Sequence, residues 1–268
     1  MKQYPIKKYL YSLTGVYQIL RITLVLYILA FILKLYNGSD VSSMLVVTRG
    51  WSETDAYWTE KSIAIFLILL AVWLFIKPVI LNTFLLMVFL IINAIIVYEN
   101  AGRHFYELSF LSAMAKWVLP LLYLSVYLNL KKPDSGFVPK WLFFLTRFSL
   151  FLIFFVHGLG CLWTHPGYID YIIGTLATFS GSFMKQSIAE NILIFIGVVD
   201  VIIAILVLIR PWRNVLIWMV VWGLLTSFLR IVDAGIFNYT EFLIRVPHFT
   251  LPLVCLLLYK IKKPAFTK

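Results

Sequence analysis

Long apolar runs broken by short polar connections set the pattern of this chain. Eight such runs lie at about 14–36, 61–79, 80–98, 109–130, 141–164, 191–209, 214–232 and 241–259. Each approaches the ~20 residues that carry a helix across a bilayer. The runs are continuous, whereas strands of a membrane barrel would alternate apolar and polar residues. The pattern predicts an all-α polytopic membrane protein with about eight transmembrane helices. Runs two and three meet at Lys77-Pro78, and runs six and seven at Arg210-Pro211-Trp212-Arg213. Both junctions predict tight helical hairpins with Pro at the turn. A basic stretch, MKQYPIKKYL, precedes the first run. That run continues to about Tyr36 with no small-residue cleavage site, so it reads as a retained span. The connections at 37–60 and 166–190 are longer. The second is apolar enough to lie in the membrane interface or to form a lid.

Composition agrees with this class. Hydrophobic residues make up 62% of the 268 positions and charged residues 13%, far from a soluble domain. The net charge of +11 could suggest nucleic acid, but the basic residues sit between apolar runs and form no binding stripe. Lys2, Lys7, Lys8, Lys77, Lys131, Lys132, Lys140, Arg210, Arg213, Lys260, Lys262, Lys263 and Lys268 all fall on one predicted side. Asp40, Glu53, Asp55, Glu60, Glu99, Glu107, Asp170, Glu190, Asp233 and Glu241 fall on the other. Positive residues stay cytoplasmic, which puts both termini inside. The acidic face then looks outward, towards the periplasm if the membrane is a bacterial inner membrane.

The chain also repeats itself. Lys77-Pro78 matches Arg210-Pro211, Glu99-Asn100-Ala101-Gly102 matches Val232-Asp233-Ala234-Gly235, and Arg21 falls opposite Arg147. Pro120 and Pro252 occupy equal places in the last run of each half, and each frees the carbonyl four residues back, at Lys116 and His248. The expected organisation is two four-span units, 1–130 and 131–268. An even span number makes them parallel repeats about an axis along the membrane normal.

The repeats differ where chemistry is expected. His157, Asp200 and Arg230 align with Phe31, Leu67 and Val97. An intramembrane charge or imidazole is costly and marks a candidate site. At ~1.5 Å of rise per residue, Arg147 and Asp200 lie at nearby depths on consecutive spans, which predicts an ion pair. Arg21 has no matching acid and is expected to snorkel inward. His157, Arg230 and His248 fall in the outer half, flanked by Asp233 and Glu241, and predict a ligand- or partner-binding site in the second unit. Apolar walls with few polar groups would suit a quinone or another small carbonyl-bearing molecule. No metal spacing, phosphate loop or cofactor motif is present in the sequence. Cys161 and Cys255 differ in depth by more than ~15 Å, beyond disulfide reach.

The second unit resembles the DoxX-like family of four-span membrane proteins. The resemblance rests on Arg147, then Phe154-Phe155-Val156-His157-Gly158, then Gly197-Val198-Val199-Asp200, where the family carries Glu at the last position. It covers roughly half the chain. It implies the four-helix fold and two functions. The first is a membrane subunit that holds or assembles partner proteins at the outer face. The second is a quinone-reactive subunit of an oxidoreductase.

Overall fold

The computed structural model describes residues 12–100, 106–131, 139–235 and 239–262. No strand occurs among them. Eight helices are long and apolar enough to cross a membrane. They are α1 (Leu13–Asn37), α2 (Glu53–Ile76), α3 (Ile80–Asn100), α4 (Met114–Lys131), α5 (Lys140–Leu162), α6 (Gln186–Ile209), α7 (Arg213–Ala234) and α8 (Tyr239–Lys262). Large apolar side chains such as Leu69, Ile76, Phe195 and Ile209 stand exposed on the bundle surface. In water such a surface would aggregate, and in a bilayer it meets acyl chains. The protein is a multi-pass membrane protein.

Two helices begin earlier than the apolar runs predict. Helix α2 starts at Glu53, because Ser52 caps it: its Oγ accepts from the Asp55 amide at 3.1 Å and donates to Asp55 Oδ2 at 2.7 Å. The first two turns are polar, so hydropathy alone starts the helix too late. Glu60 lies inside α2 and is buried. Its Oε1 accepts from the Ser39 and Ser42 amides at 3.1 and 3.2 Å and from the Ser39 hydroxyl. Those bonds fasten the short helix Asp40–Ser43, which runs into a π-helical turn at Met44–Thr48. Helix α6 likewise begins at Gln186. The 166–190 connection contains a helix, Pro166–Ser180, with Pro at its first position and His165 Nδ1 accepting from the Gly167 amide at 3.1 Å. It stops at Gly181, whose φ of +69° is the left-handed conformation that favours glycine.

The same pairings recur in both halves: first helix with second, first with fourth, third with fourth. The halves meet where α8 packs along α1 and α4 against α5. Helices α5 and α6 cross at Gly158 and Gly197. A Cβ on Gly197 would stand 2.9 Å from the Gly158 carbonyl oxygen and 2.9 Å from the Leu162 nitrogen. Only two glycines permit that approach. Helices α7 and α8 meet in the same way. A Cβ on Gly223 would lie 2.8 Å from the His248 carbonyl, the carbonyl that Pro252 deprives of its helical donor.

The two hairpins explain the two arginines. Asn82 closes the first: its Oδ1 accepts from the Val79 amide at 2.9 Å and its Nδ2 donates to the Lys77 carbonyl at 3.0 Å. The Val79 amide is then unavailable to the Phe75 carbonyl, and Arg21 Nη2 takes that carbonyl at 3.0 Å. The Arg21 guanidinium also sits 3.6 Å from the centre of the Phe75 ring. Arg21 therefore reaches the end of α2 at the first hairpin. In the second hairpin Pro211 has no N–H for the Val207 carbonyl. Arg147 Nε donates to that carbonyl at 3.1 Å, and Nη2 donates to the carbonyl of Leu208. The expected Arg147–Asp200 ion pair is thus corrected. Orphaned carbonyls at the end of α6 claim the guanidinium, and Asp200 lies about two turns further along the helix.

Candidate functional site

The close crossing of α5 and α6 brings His157 to Asp200. His157 Nδ1 and Asp200 Oδ2 are 2.6 Å apart. Asp200 is 1% exposed. An ionised Asp200 requires the hydrogen on Nδ1, which leaves Nε2 as the acceptor side of the neutral ring. Cys161 Sγ lies 3.8 Å from the same Nδ1. Because Asp200 already occupies that nitrogen, the three residues do not form a relay of nucleophile, base and orienting acid.

His157 and Asp200 line a cavity of about 180 Å³ that also takes Tyr168, Glu241, Arg245 and His248. Helix α4 contributes Lys116, and α7 contributes Trp222, Gly223 and Thr226. Asp200 Oδ1, Arg245 Nε and Trp222 Nε1 are buried without a hydrogen-bond partner among the described residues. Buried polar atoms are normally satisfied, so three orphans around one space mark a place for a polar guest. A second cavity, of about 90 Å³, adjoins the first. It shares His157, Tyr168 and Arg245 and adds Arg230, Leu193 and Ile196.

Helix Pro166–Ser180 covers this region by packing on α6 and α7. Its Tyr171 hydroxyl donates to the Thr226 carbonyl at 3.3 Å. The Tyr168 ring lies 5.1 Å from the His157 ring and 5.0 Å from the His165 ring. Burial pushes the Tyr168 phenol above its ordinary range, so at neutral pH it is an uncharged donor.

The predicted site residues separate. His157, His248 and Glu241 share the larger cavity. Arg230 lines the smaller one, with its guanidinium carbon 4.1 Å from the centre of the Tyr171 ring. His248 Nδ1 is 3.2 Å from the Arg245 carbonyl. Glu241 Oε1 is 2.9 Å from Lys34 Nζ of α1. Asp233 falls near the end of α7, and its side chain lies outside the described residues. Asp200, expected as a partner of Arg147, belongs to the cavity.

Sequence reasoning missed Arg245, Lys116 and Tyr168. Arg245 stands inside an apolar run, and the argument that singled out Arg147 applied to it equally. Lys116 was considered only for its carbonyl, four residues before Pro120, yet it stands in the place that His248 occupies before Pro252, and both side chains face the cavity. The cavity draws on more than residues 131–268, because α4 supplies Lys116 and α1 supplies the partner of Glu241. No family model, no curated protein and no solved structure matches the chain.

Proposed function

We propose that the protein is a subunit of a larger complex in a bacterial inner membrane, with both termini cytoplasmic. On this reading it engages partner proteins at its periplasmic face and binds a small ligand in the cavity between α4, α5, α6, α7 and α8. The observation that carries the ligand is Asp200. Its carboxylate is buried, one oxygen is held by His157, and the other has no partner beside an empty space. At about 180 Å³ the cavity is smaller than a drug-sized pocket, which suits a polar head or a small molecule. The matching helix pairings support two repeated four-helix units, 1–130 and 131–268, and the arrangement of His157 against Asp200 is compatible with a DoxX-like motif.

The test is purification in mild detergent followed by mass spectrometry of co-purifying proteins and small molecules. The wild-type protein is expected to retain a small molecule and at least one protein. Asp200→Asn is expected to lose the small molecule and keep the protein. Equal small-molecule content in both preparations would remove Asp200 from the site. Orientation has its own check. A single cysteine at Ser43 is expected to react with an impermeant maleimide in intact cells, and one at Ser135 to react only after permeabilisation. The reverse pattern would invert the bundle.

A second reading follows from the His157 ring. With Nδ1 held by Asp200, Nε2 is the nitrogen left for the cavity, a geometry that can pass a proton to or from a carbonyl oxygen. This supports a quinone-reactive subunit whose electrons come from a partner protein. Stabilisation of the wild-type protein by a short-tailed quinone, lost in His157→Phe, is its expected signature.

A further inference from the structure

Two cations line the cavity without a carboxylate in direct contact among the described residues. Arg245 of α8 and Lys116 of α4 both line it. Neither has a carboxylate within 4 Å among the described residues. Of the two acids that line the same space, Glu241 is bound by Lys34 at 2.9 Å, and Asp200 is bound through Oδ2 by His157 at 2.6 Å while its Oδ1 faces no partner among the described residues. A third cation, Arg230, lines the adjoining compartment, and its described contact is the Tyr171 ring. Arg245 Nε is also buried with no acceptor. Helix surfaces in a membrane bundle rarely hold a charge without a counter-charge, because the uncompensated charge is expensive in a low-dielectric interior.

We propose that the cavity recognises its ligand through an oxyanion, a phosphate or carboxylate, gripped by Lys116 and Arg245. This deepens the reading of the cavity as a ligand site and rests on it. The guanidinium offers a planar pair of donors to two anion oxygens, and the ammonium adds a point charge from the facing helix. Bound there, the anion supplies the missing acceptor for Arg245 Nε. The walls made by Ile153, Phe154, Val156 and Ile244 are apolar and fit the first carbons behind such a head. The oxyanion comes either from an amphiphile entering from the bilayer or from a free small anion.

The experiment uses the full chain purified in a neutral detergent, with thermal unfolding followed against added ligand. The probes are inorganic phosphate, dodecyl phosphate, dodecanol and dodecyltrimethylammonium. A saturable rise in Tm is expected with a phosphate probe and with neither dodecanol nor the cation. A rise with inorganic phosphate alone identifies a free anion as sufficient, and a rise confined to dodecyl phosphate identifies an amphiphile. Lys116→Gln and Arg245→Gln are each expected to weaken the phosphate response at least ten-fold, whereas Lys116→Arg and Arg245→Lys keep most of it. Equal responses to dodecanol and dodecyl phosphate would overturn the proposal, as would wild-type affinity in both Gln variants. If a Gln variant fails to fold, the probe series on the wild-type protein and the charge-keeping variants decide. Stabilisation by an uncharged short-tailed quinone with no response to either phosphate defeats the anion and leaves the ligand site standing. No response to any probe, with no co-purifying small molecule, defeats both.

Discussion

His157→Phe by itself is expected to cost about 3–5 kcal/mol of stability, and the double change His157→Phe/Asp200→Leu to recover most of that loss. The single change strands a carboxylate that is 1% exposed and already has one oxygen without a partner. The double change removes both polar groups. It also installs a Phe and a Leu, the residue types that stand buried in the core at Phe31 and Leu67. Chemical denaturation in detergent micelles supplies the four stabilities of the cycle. Additive losses would show that His157 and Asp200 are uncoupled. The pair Arg147 and Asp200, run through the same cycle, is expected to be additive, because the Arg147 guanidinium is held by the Val207 and Leu208 carbonyls.

Gly197→Val carries the other large expected effect. The first added carbon would meet backbone on the facing helix, the Gly158 carbonyl and the Leu162 nitrogen, both at 2.9 Å. Backbone cannot swing aside as a side chain can, so α5 and α6 must separate. Overpacking of this kind costs about 1–3 kcal/mol or more. Separation also pulls His157 away from Asp200, so the variant should lose any ligand-induced rise in Tm even where it still folds. Gly160→Ala is the control. There the close neighbour is the Tyr168 ring, at 2.9 Å, which is a side chain that can shift. Equal damage in the two variants would show that the backbone crossing is not the constraint.

The spans were legible in the sequence because hydropathy is a direct record of what the bilayer demands. Span starts were less legible. Ser52, Glu53 and Asp55 belong to a helix whose first turns are polar, and their signal is a cap, not apolarity. His157 and Arg230 stand out as polar residues inside apolar runs. Their partners did not stand out, since partnership depends on helix rotation and separation. Arg147 and Asp200 matched in depth, but Pro211 removes a donor from the Val207 carbonyl and gives the arginine a nearer acceptor. His157 reaches Asp200 because Gly158 and Gly197 let the helices touch. Both causes were present in the sequence as single residues, and their consequence is a matter of distances between helices. Lys116 was the hardest to assign, because it joins the cavity from a helix of the other half.

The arginine clasps at the two proline hairpins have a consequence for how the molecule could be divided. Arg21 serves a carbonyl of α2, and Arg147 serves carbonyls of α6, so each clasp closes within its own stretch of chain. A cut in the 132–138 connection would leave both clasps whole. The cavity has no such independence. Lys116 comes from before that cut, and His157, Asp200, Arg245 and His248 come from after it. Each clasp thus lies within one stretch of the chain, whereas the cavity lining is drawn from both.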